Sequence, residues 1–303
     1  MIVRWGLEEL PGVLDDVGVE RPYLVAGPRW DALAIPAAAR WSEIPSDRIT
    51  VPRDVDGLLA VGGGSAIDTA KAGSAATDLP LVSVPTTYSG AEWTPFFGIR
   101  SPDRRQVGGG SDATLAGIVY DPELTLDLPR ADSGGTALNA LAHCVEALYP
   151  GELAEARRGA AEIDAWLPHV LADGRDPEAR RRLLEAASDA GRALAKHGLY
   201  LGHAMAQALG GRYGLPHGAM NALCLPAAMR FNAPVTPWAM TAVAVERVEE
   251  LARLVGFERL RDFGVPEAEL DEVAAAIVQR PGAVANPRPA SVSDISGLLR
   301  SIW

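Results

Sequence analysis

The pattern of apolar residues changes near residue 130, and this change constrains the fold more than any other feature of the chain. Before it, short apolar runs bounded by Gly, Pro or Asp alternate with helical stretches. The runs predict buried strands at residues 23–26, 57–61, 81–84 and 116–120, with helices at 30–40 and 66–76. Strand–helix alternation is typical of a parallel sheet with helices on its faces.

After residue 130 the periodicity is helical. Helices are predicted at residues 136–148, 152–171, 177–197, 199–209, 220–231, 237–255 and 266–279, followed by a Pro-rich loop at 281–293 and a short last helix. The sequence therefore predicts an α/β domain with a parallel sheet over residues 1–130 and an all-helical domain over residues 131–303.

Composition excludes several classes of protein. The chain is 48% hydrophobic and 22% charged, which is typical of a globular protein, and its net charge of −11 argues against nucleic acid as a partner. No apolar run reaches the ~18 residues that a membrane span needs, and the first ten residues do not resemble a signal peptide. The two cysteines suggest no disulfide framework, so we expect a cytoplasmic protein.

Three glycines follow the strand predicted at residues 57–61. Gly62, Gly63 and Gly64 have no Cβ, so their backbone can approach a phosphate, which the N–H groups of the next helix would face. Ser65 comes next, and Asp68 in the first helical turn could reach a ribose or a nicotinamide amide. We expect a nucleotide here, with a tight ligand-free turn as the alternative. The spacing is not the G-x-G-x-x-G fingerprint.

A cluster of hydroxyls follows the strand predicted at residues 81–84. Thr86, Thr87 and Ser89 would lie at the carboxyl end of a parallel strand, where ligands bind in such sheets. Their hydroxyls could bind a cofactor's phosphate, ribose or amide, and a simple Ser/Thr-rich turn is the alternative.

Three of the five histidines and one asparagine form the candidate catalytic set. Asn139 and His143 are four residues apart and share one helix face, while His203 and His217 lie on or next to two later helices. If these helices face one another, four polar side chains converge, as in a metal site or a proton-handling pocket. The alternative is that each histidine is a hydrogen-bonded core residue.

Together these segments resemble the iron-containing (group III) alcohol dehydrogenase family. The matching segments are G-G-G-S-A-I-D-T-A-K-A, P-T-T-Y-S-G-A-E-W-T, Y-D-P-E-L, L-N-A-L-A-H-C-V-E-A-L-Y and G-L-P-H-G-A-M-N-A-L-C-L-P. The resemblance implies a dinucleotide-binding α/β domain, here shorter than usual, an all-helical catalytic domain, and NAD(H) or NADP(H) as cofactor. It also implies a homodimer.

The family's metal site is one aspartate and three histidines, which fall here on Asn139, His143, His203 and His217. An asparagine offers only a neutral amide oxygen, so this set should bind Fe²⁺ or Zn²⁺ weakly. Asparagine at this position resembles the maleylacetate reductase branch, whose members work without metal and serve aromatic catabolism. A further departure is Gln207, where many members have a histidine.

The resemblance implies hydride transfer from NAD(P)H to a small enone or carbonyl compound. His203 or His217 would donate the proton, and His143 and Asn139 would orient the substrate. The alternatives are a metal-dependent alcohol dehydrogenase, a lyase like dehydroquinate synthase, and a non-catalytic nucleotide-binding protein. Arginines are considered as carboxylate or 2′-phosphate ligands: Arg100, Arg104, Arg105 and Arg212 for a substrate carboxylate, and Arg29 for NADPH.

Overall fold

A computed structural model describes all residues from Met1 to Trp303. The chain forms two compact units, Met1–Leu128 and Pro129–Trp303. No helix in either unit has the length and apolar character needed to cross a membrane.

The first unit contains eight strands and two α-helices. The strands are β1 (Ile2–Trp5), β2 (Pro22–Ala26), β3 (Ala39–Trp41), β4 (Gly57–Gly62), β5 (Pro80–Pro85), β6 (Phe97–Arg100), β7 (Gln106–Gly110) and β8 (Thr114–Tyr120). The helices are α1 (Leu10–Asp16) and α2 (Gly64–Thr77). Six strands form a sheet of order β1-β8-β5-β4-β2-β3 in which every pair is parallel, and β6 and β7 form a separate antiparallel hairpin. The predicted parallel sheet is thus confirmed.

Strands β4 and β5 bring two of the predicted ligand-binding segments together. Both strands are apolar and buried, as expected for central strands covered on both faces. They pair in register, with Val61 opposite Val84 and Gly62 opposite Pro85. The loops that follow the two strands therefore start side by side at one edge of the sheet.

The prediction of a helix at residues 30–40 is wrong. This segment begins with a 3₁₀ turn, Pro28–Trp30, and ends in β3, which pairs with β2. Pro36 lies in the middle of the segment, where it has no N–H to donate and would clash with the preceding turn of a helix. Strands β1, β3, β6 and β7 were not predicted; β7 is glycine-rich, with little intrinsic preference for a strand.

The second unit is helical, as predicted. Its helices are α3 (Arg130–Ala147), α4 (Ala154–Ala172), α5 (Pro177–His197), α6 (Leu201–Tyr213), α7 (His217–Asn232), α8 (Val245–Val255), α9 (Leu270–Ile277), α10 (Pro281–Val284) and α11 (Val292–Ser301). The helix predicted at 237–255 starts only at Val245, after a 3₁₀ turn, and the predicted Pro-rich loop contains the single turn of α10. Short 3₁₀ helices complete the chain at Leu7–Glu9, Ala91–Trp93, Pro122–Thr125, Leu260–Phe263 and Glu267–Glu269.

Helices α3 and α7 touch through their backbones. A Cβ added to Gly218 would lie 2.4 Å from the carbonyl carbon and oxygen of Gly135, so no larger residue fits at this crossing without movement. One turn further along each helix are Asn139 and Asn221. The glycine contact therefore sets how closely the polar residues of the two helices approach each other.

Candidate functional site

The glycine segment in the first unit has the geometry of an anion-binding turn. Gly62 ends β4 with φ +151°, a backbone conformation that favours glycine, and Gly63 precedes α2 without any side-chain cap. A Cβ on Gly63 would lie 2.7 Å from Thr87 Cγ2, so the residue is confined by the neighbouring loop. The N-terminus of the 14-residue helix α2 thus opens on glycine backbone, which suits a phosphate group.

The hydroxyl segment lies against these glycines. The backbone N–H of Thr86 donates to Gly62 O at 3.0 Å, and the side chains of Thr87 and Ser89 face Gly63 and Gly64. The Oγ1 atom of Thr87 is buried and has no hydrogen-bond partner within the chain. Burying a hydroxyl without a hydrogen bond costs free energy unless a ligand supplies the partner. The loop therefore fits a bound nucleotide.

The Asp68 side chain contacts two other residues of the first unit. Its Oδ2 atom accepts from the backbone N–H of Gly98 at 3.3 Å, and its Oδ1 atom lies 3.7 Å from Lys71 Nζ. Lys71 is fully buried and donates to Phe96 O at 2.7 Å. The Asp68 side chain keeps 26% of its surface exposed, so a role toward a ribose or amide stays a prediction.

The four predicted catalytic residues are close together in the second unit. Asn139 and His143 lie on α3, His203 lies on α6, and His217 is the first residue of α7. The rings of His143 and His203 stack with centroids 4.7 Å apart, and those of His203 and His217 are 6.0 Å apart. The i, i+4 spacing on α3 and the separate helices of the other two histidines therefore converge, as the sequence pattern indicates.

Glu146 holds His203 in place, and the sequence analysis missed it. The Oε2 atom of this fully buried carboxylate lies 2.8 Å from His203 Nδ1 and accepts from the backbone N–H of Tyr200 at 2.7 Å. Its Oε1 atom accepts from the backbone N–H of His203 at 3.2 Å. Because Nδ1 faces the carboxylate, the ring nitrogen that remains available to a ligand is Nε2, which is buried without a hydrogen-bond partner.

His143 is a neutral group in this cluster. Burial lowers its pKa well below the usual 6.5, and the neighbouring rings of His203 and His217 lower that pKa further. Its Nδ1 atom is buried and makes no hydrogen bond within the chain. A neutral imidazole has one N–H donor and one acceptor nitrogen, so the His143 ring can hold a polar group in a fixed orientation.

Asn221, also missed by the sequence analysis, joins two members of the set. Its Nδ2 atom donates to Asn139 Oδ1 at 2.7 Å and lies 3.0 Å from His217 Nε2. On the other side, Asn139 Nδ2 lies 3.5 Å from His143 Nε2. Asn221 is four residues after His217, so the two side chains lie on the same face of α7.

The site does not fit the divalent cation that the resemblance implies. None of its four candidate ligands is a carboxylate or a thiolate, and the nearest carboxylate, Glu146, is occupied by His203 Nδ1 and two backbone N–H groups. No group of three or more His, Cys, Asp and Glu side chains is arranged to hold a metal ion. A doubly charged ion would therefore have no negatively charged atom among its direct ligands.

The arginine predictions have different outcomes. Arg212 donates to the carboxylates of Glu269 and Glu272 at 2.7–3.0 Å, so it is already paired with two carboxylates of the chain. The other three substrate candidates, Arg100, Arg104 and Arg105, lie on or between β6 and β7. Arg29 lies over the ring of Trp30 at 4.9 Å. None of these four has a contact that tests the proposed roles.

Comparison with known proteins finds the same family that the sequence motifs resemble. The family model of the "Fe-containing alcohol dehydrogenase family, C-terminal" matches residues 134–303, and that of "Iron-containing alcohol dehydrogenase" matches residues 49–122. The chain is 33% identical over 278 residues to a maleylacetate reductase of Pseudomonas sp. (strain P51), covering 86% of this chain and 78% of that protein. It is 35% identical over 260 residues to one of Sphingobium indicum, covering 81% and 73%.

Solved structures of an alcohol dehydrogenase and a maleylacetate reductase also superpose on this chain. A putative alcohol dehydrogenase from Ralstonia eutropha JMP134 superposes with a TM-score of 0.89 at 30% identity, covering all of this chain and 95% of that one. A maleylacetate reductase from Rhizobium sp. strain MTP-10005 superposes with a TM-score of 0.85 at 26% identity, with the same coverage.

Proposed function

Because the chain belongs to the iron-containing alcohol dehydrogenase family and is an oxidoreductase, we propose that it reduces a small enone by hydride transfer from NADH or NADPH without a metal ion. The substrate class is that of maleylacetate, an enone that carries carboxylates. Identity of 33–35% to maleylacetate reductases over more than four fifths of the chain supports this choice.

The observation that carries the proposal is the contact between Glu146 and His203. A fully buried carboxylate fixes one ring nitrogen of His203, and the other nitrogen is buried without a partner in the chain. A structural histidine in a core would have both nitrogens satisfied. The unsatisfied Nε2 is therefore the atom that meets the substrate.

The reaction needs one hydride and one proton. A reduced nicotinamide, held by the glycine and hydroxyl segments of the first unit, would supply the hydride to the carbon–carbon double bond, which leaves the electron pair of that bond on the ketone oxygen. His203 donates a proton from Nε2 to this oxygen, which removes the developing negative charge. The enol that results becomes the saturated ketone, and His203 regains its proton from water. Asn139, His143 and His217 orient the substrate, with His217 the alternative proton donor.

The nucleotide is assigned to the first unit. Gly62, Gly63, Gly64 and Ser65 would hold its pyrophosphate, and Thr86, Thr87, Ser89 and Asp68 would contact the rest of the molecule. The glycine backbone before α2 and the buried, unpartnered Thr87 Oγ1 support this assignment.

A homodimer is the proposed assembly. Strand β1 is at the edge of the sheet and pairs only with β8, so its other side can accept a strand from a second copy. Trp5 on this strand is 38% exposed, which adds an apolar contact to such an interface.

The deciding experiment measures NADH and NADPH oxidation with maleylacetate, short aldehydes and short ketones, before and after exhaustive chelation. We expect turnover of maleylacetate that chelation and added Fe²⁺ or Zn²⁺ leave unchanged. His203→Gln should abolish it while nucleotide binding, followed by fluorescence, persists. Reduction of simple aldehydes that depends on added metal would instead identify a metal-dependent alcohol dehydrogenase. Nucleotide binding without turnover of any of these substrates would identify a non-catalytic nucleotide-binding protein.

A further inference from the structure

We propose that Arg280 binds a carboxylate of the substrate beside His203. The inference rests on the enone reduction proposed above and adds the group that would recognise the charge of the substrate. Arg280 follows α9 and immediately precedes Pro281, the first residue of α10. The sequence analysis considered four other arginines for this role and did not single out this one.

The guanidinium of Arg280 is half-buried and has no partner in the chain. It makes no hydrogen bond, ion pair or ring contact, and burial lowers its pKa with no neighbouring carboxylate to oppose that shift. Every other arginine that is not exposed makes at least one side-chain hydrogen bond, namely Arg100, Arg157, Arg180, Arg247 and Arg288. Withdrawing an unpaired cation from water costs free energy, which a bound anion would offset.

The path of the chain brings Arg280 to the N-terminal end of α6. At the other end of α6, Arg212 donates to Glu269, which directly precedes α9. After α9, Gly282 of α10 lies against the start of α6, because a Cβ added to it would be 2.7 Å from Tyr200 O. Helix α9 therefore runs from the C-terminal end of α6 back to its N-terminal end, and Arg280 is two residues before the contact with Tyr200.

This end of α6 is also where the proposed proton donor lies. His203 is three residues after Tyr200, which is less than one helical turn, and its Nε2 atom is buried without a partner. The carboxylates of maleylacetate are separated from its ketone by only a short carbon chain. A substrate whose ketone oxygen meets His203 can therefore place a carboxylate on Arg280. The planar guanidinium would bind it through two parallel hydrogen bonds, which fixes the ketone beside the ring.

The first test is calorimetric titration of the full chain with the saturated dicarboxylic ketone that reduction of maleylacetate yields. Arg280→Met keeps the methylene groups but removes the charge, and Arg280→Lys keeps the charge but loses the planar fork. We expect Kd to rise ~10–100-fold in R280M and by less in R280K. Arg253 supplies the matched control, because it makes no side-chain hydrogen bond but is exposed on α8. R253M should bind the ketone as the wild-type protein does.

The second test is steady-state kinetics with maleylacetate and with its uncharged dimethyl ester. R280M should lower kcat/KM for maleylacetate by ~10–100-fold, mainly through KM, because a charge-assisted contact to the substrate is lost. The same variant should change kcat/KM for the ester by less than about threefold, since the ester offers no carboxylate.

The outcomes separate this inference from the proposed function. If R280M, shown to be folded by circular dichroism, binds the saturated ketone as tightly as the wild-type protein, Arg280 is not a carboxylate ligand and the proposed reduction still stands. Equal loss of turnover with maleylacetate and with the ester likewise overturns the role of Arg280. If the wild-type protein reduces neither substrate, the proposed function fails, and the calorimetric comparison still decides whether Arg280 binds a carboxylate.

Discussion

Glu146→Gln tests the proposed mechanism most directly. The substitution keeps the shape of the side chain but replaces one of two acceptor oxygens, which together bind His203 Nδ1 and two backbone N–H groups. If the new NH₂ group takes the place of Oε2, it must donate to His203 Nδ1 and meets the N–H of Tyr200. If it takes the place of Oε1, it meets the N–H of His203. Either arrangement disturbs the ring or the start of α6.

The size of the effect follows from the bond that is lost. A hydrogen bond to a charged group contributes about 1.5–3 kcal/mol, and each 1.4 kcal/mol corresponds to a factor of about ten. Because the proposed role of His203 is to donate the proton, we expect kcat for the proposed maleylacetate reduction to fall ~10–100-fold while KM changes by less than about threefold. A rate limited by proton transfer should also show a larger solvent isotope effect.

The assay compares steady-state kinetics and thermal unfolding of E146Q with those of E185Q. Glu185 is paired with Arg181 on the exposed face of α5, so it offers the same substitution away from the site. E185Q should match the wild-type protein in kcat. If E146Q keeps kcat within twofold while remaining folded, the assignment of His203 as an oriented proton donor is refuted.

Three further predictions concern packing, pairing and buried charge. Gly218→Ala should lower the free energy of unfolding by about 1–3 kcal/mol, because its Cβ would meet the backbone of α3, whereas Gly297→Ala, with nothing within 4 Å, should not destabilise in urea unfolding. Arg212→Ala should leave kcat/KM for maleylacetate within about threefold, since its partners are already two glutamates, and a loss above about tenfold would return it to the substrate site. Burial raises the pKa of Glu92 above its usual 4.5, so the stability this carboxyl contributes is complete below about pH 4.5 and is lost as the pH rises through its folded-state pKa. Glu92→Gln should therefore gain stability relative to wild type between about pH 5 and pH 8, and parallel pH profiles of urea unfolding would contradict this.

Local patterns predicted the parts of the fold that depend on local chemistry. The strands at 57–61 and 81–84, the glycines after the first and the hydroxyls after the second are all contiguous signals, and their adjacency follows from parallel pairing. Edge strands β1 and β3 could not be found this way, because β1 is stabilised by a distant partner, with Ile2 opposite Gly117, and β3 is only 3 residues long and shows no pattern.

The candidate site, like the fold, could be predicted only in part from local sequence patterns. The spacing of the histidines indicated a cluster. No local sequence pattern identified Glu146 and Asn221, the two residues that hold the cluster together. Glu146 is three residues after His143 in an apolar helix, where a carboxylate is unexpected unless it has partners, and those partners, at the start of α6, are more than fifty residues away. Asn221 likewise gains meaning only when α3 and α7 are packed together.

The contact of Gly135 with Gly218 has a consequence for how this enzyme can change. Main-chain atoms touch there directly, so the separation of α3 and α7 at this point is set by the backbone and is independent of the side chains of the histidine cluster. Natural variation or laboratory evolution can therefore exchange those side chains without moving the two helices apart, whereas a side chain at position 218 would push α7 away from α3.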